Sequence, residues 1–197
     1  MSDPIYCFER DPYKTRLKTE ILETGESETG PFAILRDTIF YPEGGGQPCD
    51  LGTVGEGRIE SVRRSGSEIQ HYLDRPLPPG PVELHLDWQR RFDHMQQHTA
   101  QHLLSSLTLK HLGWETRSFH IGPELSDIEV GTPLPDRGRL DRVDELVAEV
   151  IRRALPVVDR RVDPKEYAEL DVRSRGLPAG HAGDIRLVEI VGVDINT

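Results

Sequence analysis

Two histidines four residues apart, in His98-Thr99-Ala100-Gln101-His102, have the spacing that stacks side chains on one face of a helix, where two imidazoles can hold a single metal ion. His94 sits one turn earlier on the same stripe. A plain polar helix face gives the same pattern, so the spacing alone leaves both readings open. Peptidase chemistry is disfavoured, because a zinc peptidase of this helical type places a glutamate directly after the first histidine as general base, and here that position is Thr99. A second segment, Glu43-Gly44-Gly45-Gly46-Gln47-Pro48, lets backbone approach backbone or ligand closely. No Gly-Lys-Ser/Thr ending and no helix-forming run follow it, so it is not a phosphate-binding loop; a tight bend in a β unit is the simpler reading.

The formal charge of −10 argues against a protein that coats nucleic acid, since that affinity comes from neutralising phosphates. Any RNA contact must be local. Arg90 with Arg91, Arg152 with Arg153, Arg160 with Arg161, and Arg173 with Arg175 are candidate phosphate contacts, or else ordinary solvated charge. Mean hydropathy is −0.52 and no run approaches the roughly 20 apolar residues that cross a bilayer, so no membrane partner is expected. Two cysteines, Cys7 and Cys49, are too few for a disulfide framework, and Met1 is not followed by a charged start and an apolar run; a cytoplasmic protein is expected. Cys49 reads as a small, half-buried side chain rather than a ligand.

These residues need positioning elements. From Tyr13 to Leu86, short alternating runs broken by Gly and Pro (32–35, 38–41, 57–62 and 82–86) predict strands of a small barrel or sandwich. After Asp87 the texture changes to helices alternating with strands. One helix is expected from Asp93 to Leu112, stopped by Gly113. A second is expected where Leu140, Val143, Leu146, Val147, Val150, Ile151 and Leu155 recur at helical spacing, ended by Pro156. Strands are predicted at 116–121, 127–130, 157–162 and 185–191, so the fold class is α+β, with helices packed on an antiparallel sheet.

The segments Phe40 to Gly52, Asp87 to Arg91, His94 to Leu104, Ser118 to His120, Ile185 to Ile190 and Gly192 to Asp194 occur in one order. In this the chain closely resembles the AlaX proteins, free-standing relatives of the editing domain of alanyl-tRNA synthetase, over nearly its whole length and in the medium-length form. The resemblance implies a Gly-rich β domain over residues 1–86 and an editing domain over 87–197. It implies hydrolysis of the ester linking serine, and less often glycine, to tRNA for alanine, an aminoacyl-tRNA deacylase activity acting on mischarged tRNA. It also implies Zn2+ held by His98, His102 and a later Cys-x-x-x-His segment. That segment follows almost directly after the stretch matching Gly192 to Thr197, so a chain truncated before it is expected.

An aminoacyl ester is already activated, and hydrolysis asks mainly for orientation of one water and stabilisation of an oxyanion. A zinc with an open position can supply both. A site that hydrogen-bonds the serine hydroxyl would reject alanine, and the candidate catalytic groups are Thr99, Gln101, Ser118 and His120. Surface or structural roles are equally open for Ser118 and His120. The loop Gly44, Gly45, Gly46 and Gln47 is expected at the substrate, facing the histidine helix. Should the chain complete its own metal site, His94, His120 and His181 come first; His71, His85 and His111 have no partner spacing. Two other classes remain open: a tRNA-binding module of the same fold without catalysis, and a zinc hydrolase of a small ester or amide.

Overall fold

Inward apolar side chains at every second position close the first part of the chain into a barrel. The computed structural model describes residues 5–122, 124–133, 136–174, 176–177 and 183–197. Strands β1 (Arg16–Ser27), β2 (Gly30–Leu35), β3 (Gly52–Val54), β4 (Gly57–Ser65), β5 (Glu68–Leu73) and β6 (Gly80–Leu86) pair antiparallel in the closed order β1-β2-β5-β4-β3-β6. Ile21, Ala33, Leu35, Val54, Ile59, Val62, Ile69, Leu73 and Leu84 fill the interior. The ladder shifts register between Ile21 and Glu23 and between Ile59 and Ser61, and such bulges let strands bend around a small barrel. Where β3 meets β6 the backbones nearly touch: a Cβ on Gly52 would lie 2.1 Å from the His85 carbonyl oxygen, so only glycine fits.

Residues 38–41, predicted as a strand, are not one. Ile39 and Phe40 are fully buried, but the backbone here bonds to side chains and loops: the Phe40 N–H donates to Thr38 Oγ1 (3.1 Å) and the Tyr41 N–H to Asp50 Oδ2 (2.6 Å). Its apolar run fills the core as irregular backbone, which sequence periodicity cannot tell from a strand. A short helix α1 (Cys7–Arg10), not anticipated, adds buried Cys7 and Phe8 to the same core.

Arg91 organises this core. Its Nε lies 3.0 and 2.9 Å from the two carboxylate oxygens of Asp50, its NH1 donates to the Pro12 carbonyl (2.8 Å) and its NH2 to the Ile39 carbonyl (2.6 Å) and to Asp50. Arg91 is 3% exposed and Asp50 not at all. The expectation of a phosphate contact at Arg91 is therefore overturned. His71 is another buried polar group of this unit, bonded through Nε2 to Thr38 Oγ1 (2.8 Å) and through Nδ1 to the Ala33 carbonyl (3.2 Å).

The chain divides into two compact units between Gln96 and Gln97, inside helix α2 (Trp88–Leu112), rather than at the change of texture after Leu86. The helix also starts earlier than Asp93, because the Asp87 carboxylate accepts the Arg90 N–H at 3.1 Å and caps it. It ends as expected before Gly113. In the second unit, β7 (Thr116–Ile121) and β8 (Ser126–Val130) form a ribbon, and β9 (Val157–Val162), β10 (Ile185–Ile190) and β11 (Asp194–Asn196) an antiparallel sheet in the order β11-β10-β9. Ile190 packs with Leu103 and Leu107 of α2 and Leu146 of α3 (Arg137–Arg152). Ile185 and Leu187 face the other way, toward Tyr167 of α4 (Pro164–Glu169). The fold is mixed α+β with antiparallel sheets. Helix α3 stops at Arg152, short of Pro156, with Ala154 in the left-handed region at φ 47°. Only the middle of its expected stripe is buried: Leu140 is 43% and Ile151 64% exposed.

Two outcomes are expected in urea unfolding. Arg91→Ala or Asp50→Ala each strands a buried charge and should cost about 3–5 kcal/mol, with the double variant costing clearly less than the sum. Burial pushes the His71 pKa down to about 4 from 6.5. Between those values the unfolded chain takes up a proton that the folded chain refuses, so stability falls as pH drops from 6.5 to 4, by about 3 kcal/mol in total. Unfolding free energies of the protein and of His71→Gln over that window should diverge by this amount; parallel curves would remove the assignment.

Candidate functional site

Helix α2 presents His98, His102 and Ser106 on one face, four residues apart. The two imidazole rings stack with centroids 4.8 Å apart and planes 20° from parallel, and the Phe119 ring of β7 lies 6.0 Å from His98 at 29°. Ser106 Oγ donates to the Val193 carbonyl at 2.9 Å, fixing the helix to the turn before β11. Arg173 completes the fixing. Its Nε and NH2 grip Asp194 at 2.9 Å (Oδ1) and 2.6 Å (Oδ2), and the same NH2 donates to His102 Nδ1 at 2.9 Å and to the His102 carbonyl at 3.3 Å. Asp194, 6% exposed, also accepts from Asn196 Nδ2 at 3.1 Å.

Burial lowers the His98 pKa, aided by the Arg186 charge. Burial also pushes His102 down to about 4, with His98 and Arg173 adding to the shift and Asp194 opposing it. Both shifts favour the neutral ring, the state that ligates metal. In donor type the pair suits a zinc ion and would supply two ligands, where protein zinc sites take at least three. Among the described residues no group of three or more His, Cys, Asp or Glu is placed to hold a metal.

The other sequence candidates are placed as follows. Gln101 is buried and donates to Ser105 Oγ (2.7 Å), which bonds Thr116 Oγ1 (2.6 Å). It also lines a cavity of about 140 Å3 with Gln97, Phe119, Ser126 and Asp127. Thr99 is half-buried on α2. Ser118 and His120 are not brought to the histidine pair: strand alternation turns them to the exposed side of the ribbon, where Ser118 donates to Glu129 (3.1 Å) and His120 lies 3.7 Å from Asp127. His94 belongs to the barrel unit, is 5% exposed, and its Nδ1 has no hydrogen-bond partner among the described residues. His181 and Arg175 lie outside the described residues.

The glycine segment also belongs to the barrel unit. Gly44 and Gln47 exchange backbone hydrogen bonds of 3.1 and 3.0 Å across Gly45 and Gly46, whose φ values of 60° and 81° make a two-residue turn that demands glycine. Backbone conformation therefore accounts for two of the three glycines. Cys49 is buried with its thiol pKa raised by burial, a protonated side chain. Of the paired arginines, Arg90 donates to the Cys49 carbonyl, Arg160 pairs with Glu166 and Arg173 with Asp194, while Arg152 and Arg153 are exposed. Sequence reading placed Arg173 among phosphate contacts and gave Asp194 no role; 71 residues separate Arg173 from His102, so no spacing announces their contact.

No family model matches the chain. Among curated proteins, it is 40% identical over 203 residues to the alanyl-tRNA editing protein Aarsd1-A of Xenopus laevis, covering 95% of this chain and 49% of that protein. It is 42% identical to Aarsd1 of Danio rerio (91% and 44% covered) and 32% to the alanyl-tRNA editing protein AlaX-L of Pyrococcus horikoshii (94% and 48%). The alanine–tRNA ligase of Ignicoccus hospitalis is 31% identical, with 21% of its length covered. The chain spans about half the length of the editing proteins it matches.

The placements predict a contrast in thermal or urea unfolding. Ser118→Ala and His120→Ala should change stability by no more than about 0.5 kcal/mol, as surface substitutions do. Gln101→Leu leaves Ser105 and Thr116 short of a buried partner and should cost about 1–3 kcal/mol. A reversed order would show that the ribbon's outer face, not the α2 network, is the constrained one.

Proposed function

Because the chain belongs to the alanyl-tRNA editing family, we propose that it carries half of the metal site of a hydrolase that removes serine, and less often glycine, from mischarged tRNA for alanine. The observation that supports this most is the stacked, half-buried pair His98 and His102 on one face of α2, both with lowered pKa. A bound zinc would supply Lewis acidity toward the ester carbonyl, and His98 and His102 would hold it. The Cys-x-x-x-His segment of the family would complete the ligand set. A fold of the family's editing-domain type over the second unit, a cytoplasmic location and tRNA as partner belong to the same reading.

This chain's own residues then have distinct tasks. Ser106 and Arg173 fix the helix face against β11, so the imidazoles are held before substrate arrives. Phe119 stacks on one face of the His98 ring and limits its orientation. Gln101, buried and aligned by Ser105, would hydrogen-bond the seryl hydroxyl, with Thr99 as the alternative on the same helix. A hydroxyl-reading site of this kind rejects alanine because its own polar groups would be left unpaired. A second reading is a tRNA-binding module of the same fold without catalysis.

Zinc-supplied protein should release serine from seryl-tRNA for alanine while sparing alanyl-tRNA. His98→Ala and His102→Ala should each slow release by about 10²–10³-fold, the usual loss when stabilisation of a developing charge is removed. A form lengthened through a Cys-x-x-x-His segment should bind zinc more tightly and act faster. Binding of seryl-tRNA without release in both forms would favour the second reading, and release that both alanine variants leave intact would remove the histidines from the site.

A further inference from the structure

A neutral imidazole carries one proton, and the position of that proton decides which nitrogen can take a metal. The Arg173 guanidinium is always protonated and only donates, so its 2.9 Å contact with His102 Nδ1 requires a lone pair there and places the ring proton on Nε2. In that tautomer neither nitrogen is free: Nδ1 is taken by the guanidinium and Nε2 is protonated. Ligation through Nε2 needs the proton on Nδ1, and a ligating histidine donates that proton to a carboxylate or carbonyl. Asp194 Oδ2 stands 3.8 Å from Nδ1, beyond a hydrogen bond but within reach of a small ring rotation, and it is the same oxygen that Arg173 NH2 now holds at 2.6 Å.

We propose that Arg173 and Asp194 form a tautomer latch on His102: Arg173 holds the ring in a non-ligating form, and metal entry moves the ring proton to Nδ1, which then donates to Asp194. Both are positioning residues that act through His102. The proton balance closes within the ring, since one proton leaves Nε2 for solvent and one is taken up at Nδ1, with no change of net charge. Asp194 suits the task because it is nearly buried and held from a second side by Asn196, so its oxygen stays in place when the guanidinium lets go. The latch rests on the reading of His102 as a metal ligand, and it makes the two partners act in opposite directions on affinity, which a shared structural role would not.

The test uses the 197-residue chain with Zn2+ as the only added probe, read by long-range 1H–15N NMR of the imidazoles and by competition with a chromophoric chelator at pH 7.5. Without metal, His102 should show the proton on Nε2; with saturating Zn2+ it should show a protonated Nδ1. Asp194→Asn should weaken zinc binding by about 10–100-fold, the usual effect of removing an orienting carboxylate. Arg173→Met should strengthen it several-fold and shift the metal-free ring toward the Nδ1-protonated form. If Asp194→Asn fails to fold, the tautomers of the unsubstituted protein and of Arg173→Met still decide. A metal-free ring already protonated on Nδ1, or weaker zinc binding in Arg173→Met, overturns the latch while leaving His102 as a ligand. Zinc binding that His102→Ala does not weaken overturns the ligand reading and the latch together.

Discussion

A guanidinium taken out of water must find acceptors in the plane of its fork, and that requirement shapes the barrel unit around Arg91. Its partners, Asp50 and the carbonyls of Pro12 and Ile39, all come from irregular backbone rather than from strands. Buried loops are rare because their polar groups go unpaired. Here the segment 38–41 is tolerated in the core since Arg91 takes the Ile39 carbonyl and Asp50 accepts the Tyr41 N–H. The ion pair is therefore a device for satisfying loop backbone, and its net electrostatic gain matters less than what its loss would strand.

The second unit repeats the motif with a different openness. Arg173 grips Asp194 as Arg91 grips Asp50, yet it is 26% exposed where Arg91 is 3%. A closed fork has every donor committed to fixed acceptors, and exchange there would cost stability. A fork open to water can trade one acceptor for a water molecule cheaply, which is the condition for a contact that changes during function. Arg173 also differs in its further acceptors: Arg91 adds only backbone carbonyls, while Arg173 adds a titratable ring together with that residue's carbonyl.

Much of this was legible in the sequence, for reasons that particular residues make plain. The barrel strands with alternating burial, the Gly113 stop and the facing histidines follow from local periodicity, which depends on neighbours in the chain. Strands β1, β3 and β5 are not among the predicted runs; in β1 only Ile21 of its twelve residues is buried, so its outward polar face hides the alternation, and β3 is only three residues long. Helix α2 was started too late although Asp87 is a good capping residue, since the run that follows it is polar. The roles of Arg91, Arg173 and Asp194 were illegible in principle, because each is defined by a partner tens of residues away. Ser118 and His120 show the converse: a motif named them, and strand alternation turned them outward.

Histidine burial by itself says little, and the distinction lies in what the ring nitrogens meet. His71, with a hydroxyl at one nitrogen and a carbonyl at the other, is a satisfied core residue whose lone pair and proton are both used. His102 has its Nδ1 lone pair occupied by a charged donor that lowers the ring's basicity further, an arrangement that gives a buried base no reason to be a base. A core that wanted only volume and polarity there would be better served by an amide, which offers donor and acceptor without a tautomer to set. What an imidazole adds over an amide is a nitrogen lone pair that can be moved from one end of the ring to the other. At His102 the groups that would govern that move, an arginine that only donates and a carboxylate that only accepts, stand on the same side of the ring.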